Sequence, residues 1–123
     1  MSKVLIVDDD PDFVEAVRLH LERAGHVVVS ADNREDGMQT AQEGQIDLLI
    51  LDVMMTEPDD GIVMAQELRK NGFDKPVLMM SGISRVTGLA YDKDAEIIPA
   101  ADFLEKPVRP EMLIAKVNAL LNP

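Results

Sequence analysis

The sequence predicts an α/β protein in which a parallel sheet carries helices on both faces. Short, nearly all-apolar runs such as KVLIV (Lys3 to Val7) and DLLIL (Asp47 to Leu51) have the composition of strands buried on both sides. These runs alternate with segments of helical periodicity, which right-handed crossovers distribute over the two faces. A polar residue, most often a carboxylate, stands where several of the runs end, and in open α/β sheets that rim carries the site.

Taken in order, Lys3 to Val7 is the first strand, and three carboxylates, Asp8, Asp9 and Asp10, follow it at once. Asp10-Pro11 reads as a helix start, with Asp10 as N-cap and Pro11 in the first helical position, and Phe13, Val14, Val17 and Leu21 recur at helical spacing until Gly25. Val27 to Val29 is a second strand. Asn33 can cap a helix that carries Glu35 and Asp36 in its first turn, near the positive end of the dipole, and runs to Gly44. Asp47 to Leu51 repeats the buried-strand pattern, with Asp52 at its C-terminal end. A helix from about Gly61 to Lys70 and a strand from Val77 to Met80 follow. From Ser84 to Pro99 the pattern is loose, and Gly88, the charged Asp92-Lys93-Asp94 patch and Pro99 predict a short or frayed helix. A short strand, Asp102 to Leu104, and a helix, Pro110 to Leu121, complete five βα units, expected to form a single domain over residues 1–123.

Composition narrows the function. The 123 residues are 46% hydrophobic, enough for a real core, and carry 12 Lys+Arg against 23 Asp+Glu, a net charge of −11. Counterion release would then have the wrong sign for nucleic acid or anionic lipid, so neither is an expected direct partner. Four aromatics, Phe13, Phe73, Tyr91 and Phe103, offer no stacking platform for single strands. The lack of cysteine excludes a disulfide framework and a thiolate nucleophile, and no apolar stretch reaches the length of a signal-peptide core or a membrane span. The expected location is cytoplasmic.

Chemistry is expected where Asp8-Asp9, Asp52, Ser81 and Lys106 meet on one rim. Three carboxylates so placed repel one another unless a cation lies between them, and oxygen-only ligands suit Mg²⁺, with Mn²⁺ able to substitute. A Ser81 hydroxyl and the Lys106 charge would complete a pocket for an anionic, phosphoryl-like group. Plainer readings stand beside these. Asp10 serves as a helix cap, Asp8 and Asp9 taken alone are as compatible with solvated loop carboxylates, Asp52 alone with a loop start, Ser81-Gly82 with a turn, and Lys106 with a solvated charge. Met54-Met55 and Met79-Met80 read as adaptable core filler, and His20 and His26, away from the rim, as structural or exposed.

The segments VLIVDDDP, LLILDVMM, VLMMSG and DFLEKPVRP, in this order and spacing, resemble a receiver domain of bacterial two-component response regulators across essentially the whole chain. The resemblance implies a flavodoxin-like (βα)5 fold with strand order 2-1-3-4-5. It implies a phosphoacceptor switch that catalyses only its own phosphorylation and dephosphorylation and takes its phosphoryl group, with Mg²⁺, from a histidine kinase, a phosphotransfer protein or a small acyl phosphate. By the same resemblance Asp52 accepts that group, Asp9 and Asp52 bind the metal directly, Asp8 acts mainly through a water, and the main-chain carbonyl of Met54 is a further ligand. Ser81 is the switch hydroxyl, Lys106 pairs with the phosphoryl oxygens and Phe103 is the aromatic switch residue. Met54 and Ile83 flank the path of an attacking water and cannot orient it, so slow hydrolysis is expected. A downstream protein partner would meet the fourth helix, fifth strand and last helix, homodimerisation on phosphorylation is allowed, and no output domain is expected. The chain departs from the family pattern at Thr56, where proline is usual, in a loop to Asp60 one residue longer, and in about three extra residues, including Ile97-Ile98-Pro99, before Lys106. A haloacid-dehalogenase-like phosphatase shares the chemistry but needs an Asp-x-Asp-x-Thr/Val motif where this chain has Asp8-Asp9-Asp10-Pro11. A flavodoxin-like nucleotide-binding module needs Gly, Ser or Thr donors where this chain places acids.

Overall fold

The computed structural model describes residues 2–43, 45–52, 60–81, 102–105 and 109–122, and the backbone alone at 60, 81, 102, 103 and 105. In chain order it contains β1 (Lys3–Val7), α1 (Pro11–Arg23), β2 (Val27–Ala31), α2 (Arg34–Glu43), β3 (Leu48–Asp52), α3 (Asp60–Lys70), β4 (Val77–Ser81), β5 (Asp102–Glu105) and α4 (Pro110–Leu121). All strand pairs are parallel, in the order β2-β1-β3-β4-β5. This is the flavodoxin-like order that the resemblance implied. The expectations for Ser84 to Pro99 and for the loop around Thr56 fall outside the described residues.

Local chemistry sets the helix ends. The Asp10 carboxylate accepts the amides of Asp12 and Phe13 at 3.1 and 3.3 Å, and Pro11 occupies the first turn. Beyond the α1 C-cap, Ala24, Gly25 takes φ of 97°, a left-handed conformation that glycine adopts without a Cβ clash. Asn33 Oδ1 accepts the Asp36 amide at 2.8 Å and so starts α2. At the far end of α3, Arg69 donates to the Phe73 carbonyl at 2.8 Å and lies 5.7 Å above its ring. Burial pulls the Arg69 guanidinium down from its ordinary value and Asp74 opposes the shift; so basic a group stays charged.

Four strand boundaries differ from the apolar pattern, each for a pairing reason. β2 runs to Ala31, because Val7 pairs with Ala31 and the Asp8 amide donates to the Ala31 carbonyl at 3.1 Å. β3 begins at Leu48, since the Asp47 side chain accepts the Lys3 amide at 2.9 Å, and it ends at Asp52, paired with Met80. β4 and β5 each extend one residue further, where Ser81 pairs with Glu105.

Alternate strand residues feed two cores. Val4, Ile6, Leu48, Ile50, Leu78 and Met80 face Val14, Val17 and Leu21 of α1 and Leu113 and Val117 of α4. Leu5, Val7, Leu49, Leu51, Val77 and Met79 face Ala41 of α2 and Met64, Ala65 and Leu68 of α3. The buried Met64, Met79 and Met80 are core filler, as the sequence suggested. Gly37 brings α2 against the sheet, since a Cβ there would lie 2.9 Å from both Val7 Cγ2 and Met64 Cε.

At the β2 edge, Val27 donates to the Ser2 carbonyl and Ala31 accepts from Asp8, so these residues face β1 while Val28 and Ser30 turn their backbone groups outward. Arg18 of α1 lies over that edge, donating to the Val28 carbonyl at 3.3 Å and the Ser30 hydroxyl at 2.9 Å, with its Nε 3.9 Å from Glu15. His26 is half-buried and its Nε2 lies 3.2 Å from Asn118 Oδ1 of α4, a structural contact far from the rim. No helix among the described residues is long and apolar enough to cross a membrane.

Candidate functional site

β1 and β3 lie side by side in parallel, with Val7 level with Leu51. The next residue on each chain, Asp8 and Asp52, therefore stands on the same C-terminal rim. Both are buried, Asp8 at 2% and Asp52 at 6% exposure, whereas Asp9 is exposed to solvent. One carboxylate oxygen from each of Asp8, Asp9 and Asp52 lies within 4.8 Å of the others, the one such cluster among the described residues. Of the three consecutive acids after β1, two join Asp52, and Asp10 turns away to cap α1. A second contact holds the cluster to the helix, since the Asp10 amide donates to Asp8 Oδ1 at 2.9 Å.

Two unit charges about 4 Å apart near a protein surface repel by roughly 4 kcal/mol, and burial raises the cost of holding each. A cation between them reverses the sign. The donor set is all oxygen and compact. Opposite oxygens on an ion with Mg²⁺–O bonds of 2.0–2.1 Å lie about 4 Å apart, so carboxylates gathered within 4.8 Å suit a single small hard divalent ion. The solvated-loop reading of Asp8 does not hold, because the side chain is buried.

The remaining expected site residues are reached only in part. Ser81 is the last residue of β4, one step beyond the Asp52–Met80 pair, and Phe103 pairs with Met79 in β5; for both, only the backbone is described. Met54, Ile83 and Lys106 lie outside the described residues. A cavity of about 590 Å³ that sequence reasoning missed adjoins the acidic cluster, its wall including Asp8, Asp9, Glu15, Arg18, Asp32 and Asp36. The spacing of Pro11, Glu15 and Arg18, four and then three residues apart along one helical stripe, was the available signal.

A family model described as the response regulator receiver domain matches residues 4–118. Among curated proteins, the chain is 32% identical to the alkaline phosphatase synthesis transcriptional regulatory protein PhoP of Bacillus subtilis, over 98% of this chain and 48% of that protein. It is 36% identical to the DNA-binding dual master transcriptional regulator RpaA of Synechocystis, over 98% of this chain and 49% of that one. The chain thus spans about half the length of the curated relatives it matches. Among solved structures it superposes on the response regulator protein TrrA of Thermotoga maritima, in complex with Mg²⁺–BeF, with a TM-score of 0.84 at 29% identity, covering 98% of this chain and 100% of the other. For the chemotaxis protein CheY4 of Vibrio cholerae the TM-score is 0.86 at 27% identity, covering 98% and 99%.

Proposed function

The chain belongs to the response regulator receiver family, a phosphoacceptor signalling module, and we propose that Asp52 is the carboxylate on which it takes the phosphoryl group, beside a Mg²⁺ site completed by Asp8 and Asp9. The observation that carries this reading is the gathering of the three carboxylates within 4.8 Å on the rim. Membership of the family replaces the phosphatase and nucleotide-module readings.

When bound, Mg²⁺ would offset the negative charge of the phosphoryl oxygens, held directly by Asp9 and Asp52, mainly through water by Asp8, and by the Met54 carbonyl. Asp52, the last residue of a fully buried strand, is positioned for in-line attack. Its oxygen forms the new bond to phosphorus as the bond to a phosphohistidine nitrogen or an acyl oxygen breaks, and the leaving group departs on the opposite side. Lys106 pairs with the transferred oxygens, the Ser81 hydroxyl donates to them, and Phe103 follows Ser81 inward; these roles rest on the family resemblance. The added charge of about −1.5 to −2 changes the face formed by residues 84–99, β5 and α4, where a downstream partner or a second copy docks. The upstream partner is a histidine kinase or phosphotransfer protein, and the module acts in the cytoplasm. Residues 1–123 act as one receiver domain. Since two relatives are named as transcriptional regulators, the net charge of −11 argues that this stretch is not itself what touches DNA. Met54 and Ile83 leave an approaching water unoriented, so the phosphorylated state is long-lived for a receiver.

The test is incubation with Mg²⁺ and acetyl phosphate followed by intact mass. The wild-type chain gains one phosphoryl group and Asp52→Asn gains none; equal labelling of the variant overturns the assignment.

A further inference from the structure

We propose that Asp10, besides capping α1, is a positioning residue that orients the Asp8 carboxylate towards the cation; the proposal rests on the reading of Asp8, Asp9 and Asp52 as the metal site. The Asp10 side chain accepts the amides of Asp12 and Phe13 at 3.1 and 3.3 Å. Those bonds hold residue 10 in an extended conformation, φ −97° and ψ 104°, and its own amide then donates to Asp8 Oδ1 at 2.9 Å. Pro11 supports the same conformation, because a residue before proline is driven out of the helical region. The helix start and the cluster are therefore joined by one residue. Asp8 is only 2% exposed, so water is poorly placed to replace the amide if residue 10 moves, and a carboxylate free to turn would present its oxygens to the ion in a wider range of directions. Groups that hold metal-ligating side chains commonly change affinity by tenfold or more when altered.

Asp10 is itself a nearby negative charge, so positioning must be separated from simple attraction. Asn is as good an N-cap as Asp but neutral, Ala is no cap, and Gly is a tolerated N-cap residue without a side-chain acceptor. The measurement is the Mg²⁺ dissociation constant of the whole 123-residue chain, by isothermal titration in about 0.15 M salt, where an exposed charge is screened. Circular dichroism checks that each variant is folded at the titration temperature. Asp10→Asn is expected to bind Mg²⁺ within about twofold of wild type, and Asp10→Ala about tenfold more weakly. Asp10→Gly, which keeps the fold with little loss, should weaken binding as Ala does. Equal weakening in Asn and Ala would mean that Asp10 acts by charge alone, and unchanged affinity in Ala and Gly would mean that the cap orients nothing; either result overturns the proposal. A wild-type chain that does not bind Mg²⁺ overturns the site reading and this role with it.

Discussion

Asp8 and Asp9 are adjacent in sequence and opposite in environment, one sealed beneath the rim and the other open to solvent. The difference separates ligand chemistry from structural cost. Asp9 fills no packed volume, so Asp9→Ala is expected to abolish Mg²⁺-dependent labelling by acetyl phosphate while shifting the thermal midpoint by little more than other surface changes, within about 0.5 kcal/mol. Intact mass and a melting curve on the same sample check both halves. What was legible at this scale follows the range of each interaction. The caps at Asp10 and Asn33 are local, depend on residues two or three positions away, and were readable from sequence. Arg18 was not, because its partners Val28 and Ser30 belong to another element, and nothing in the sequence says that β2 is an edge until the strand order is known.

Among the elements, β1 and β3 were the most legible, since strands buried on both faces must be apolar throughout, and their pattern marks their position. β2 was read two residues short because Ser30, exposed at the edge, breaks the apolar run although it still belongs to the strand. The convergence of Asp8, Asp9 and Asp52 was accessible only through the rule that places sites at strand C-termini; the distances depend on β1 and β3 being neighbours. Helix α2 shows how closely an element is fitted. At Gly37 a Cβ would meet Val7, whose χ1 is stiff, as well as the more yielding Met64. Ala would gain about 1 kcal/mol of helix propensity against an overpacking cost of about 1–3 kcal/mol. Gly37→Ala is therefore expected to destabilise the fold by up to about 2 kcal/mol, read as a lower urea midpoint at unchanged slope. A stabilised variant would show that α2 retreats from Val7 freely.

For the whole molecule, the sheet has one feature that its interior cannot supply, an outer strand whose Val28 and Ser30 backbone groups point away from every other strand. Arg18 engages the Val28 carbonyl and places a charge where an incoming strand would need to lie. Arg18→Ala is expected to cost about 1 kcal/mol of stability through the lost hydrogen bonds. In about 0.5 M salt, which screens the −11 charge, it should also raise the sedimenting mass with protein concentration beyond wild type. A variant as monodisperse as wild type under those conditions would show that the edge is closed by other means. A parallel sheet has no intrinsic size, since each added strand leaves another like the last. One guanidinium reaching across from a helix gives this one a boundary, so growth into fibres at that side is opposed by the same side chain that borders the cavity beside the acidic rim.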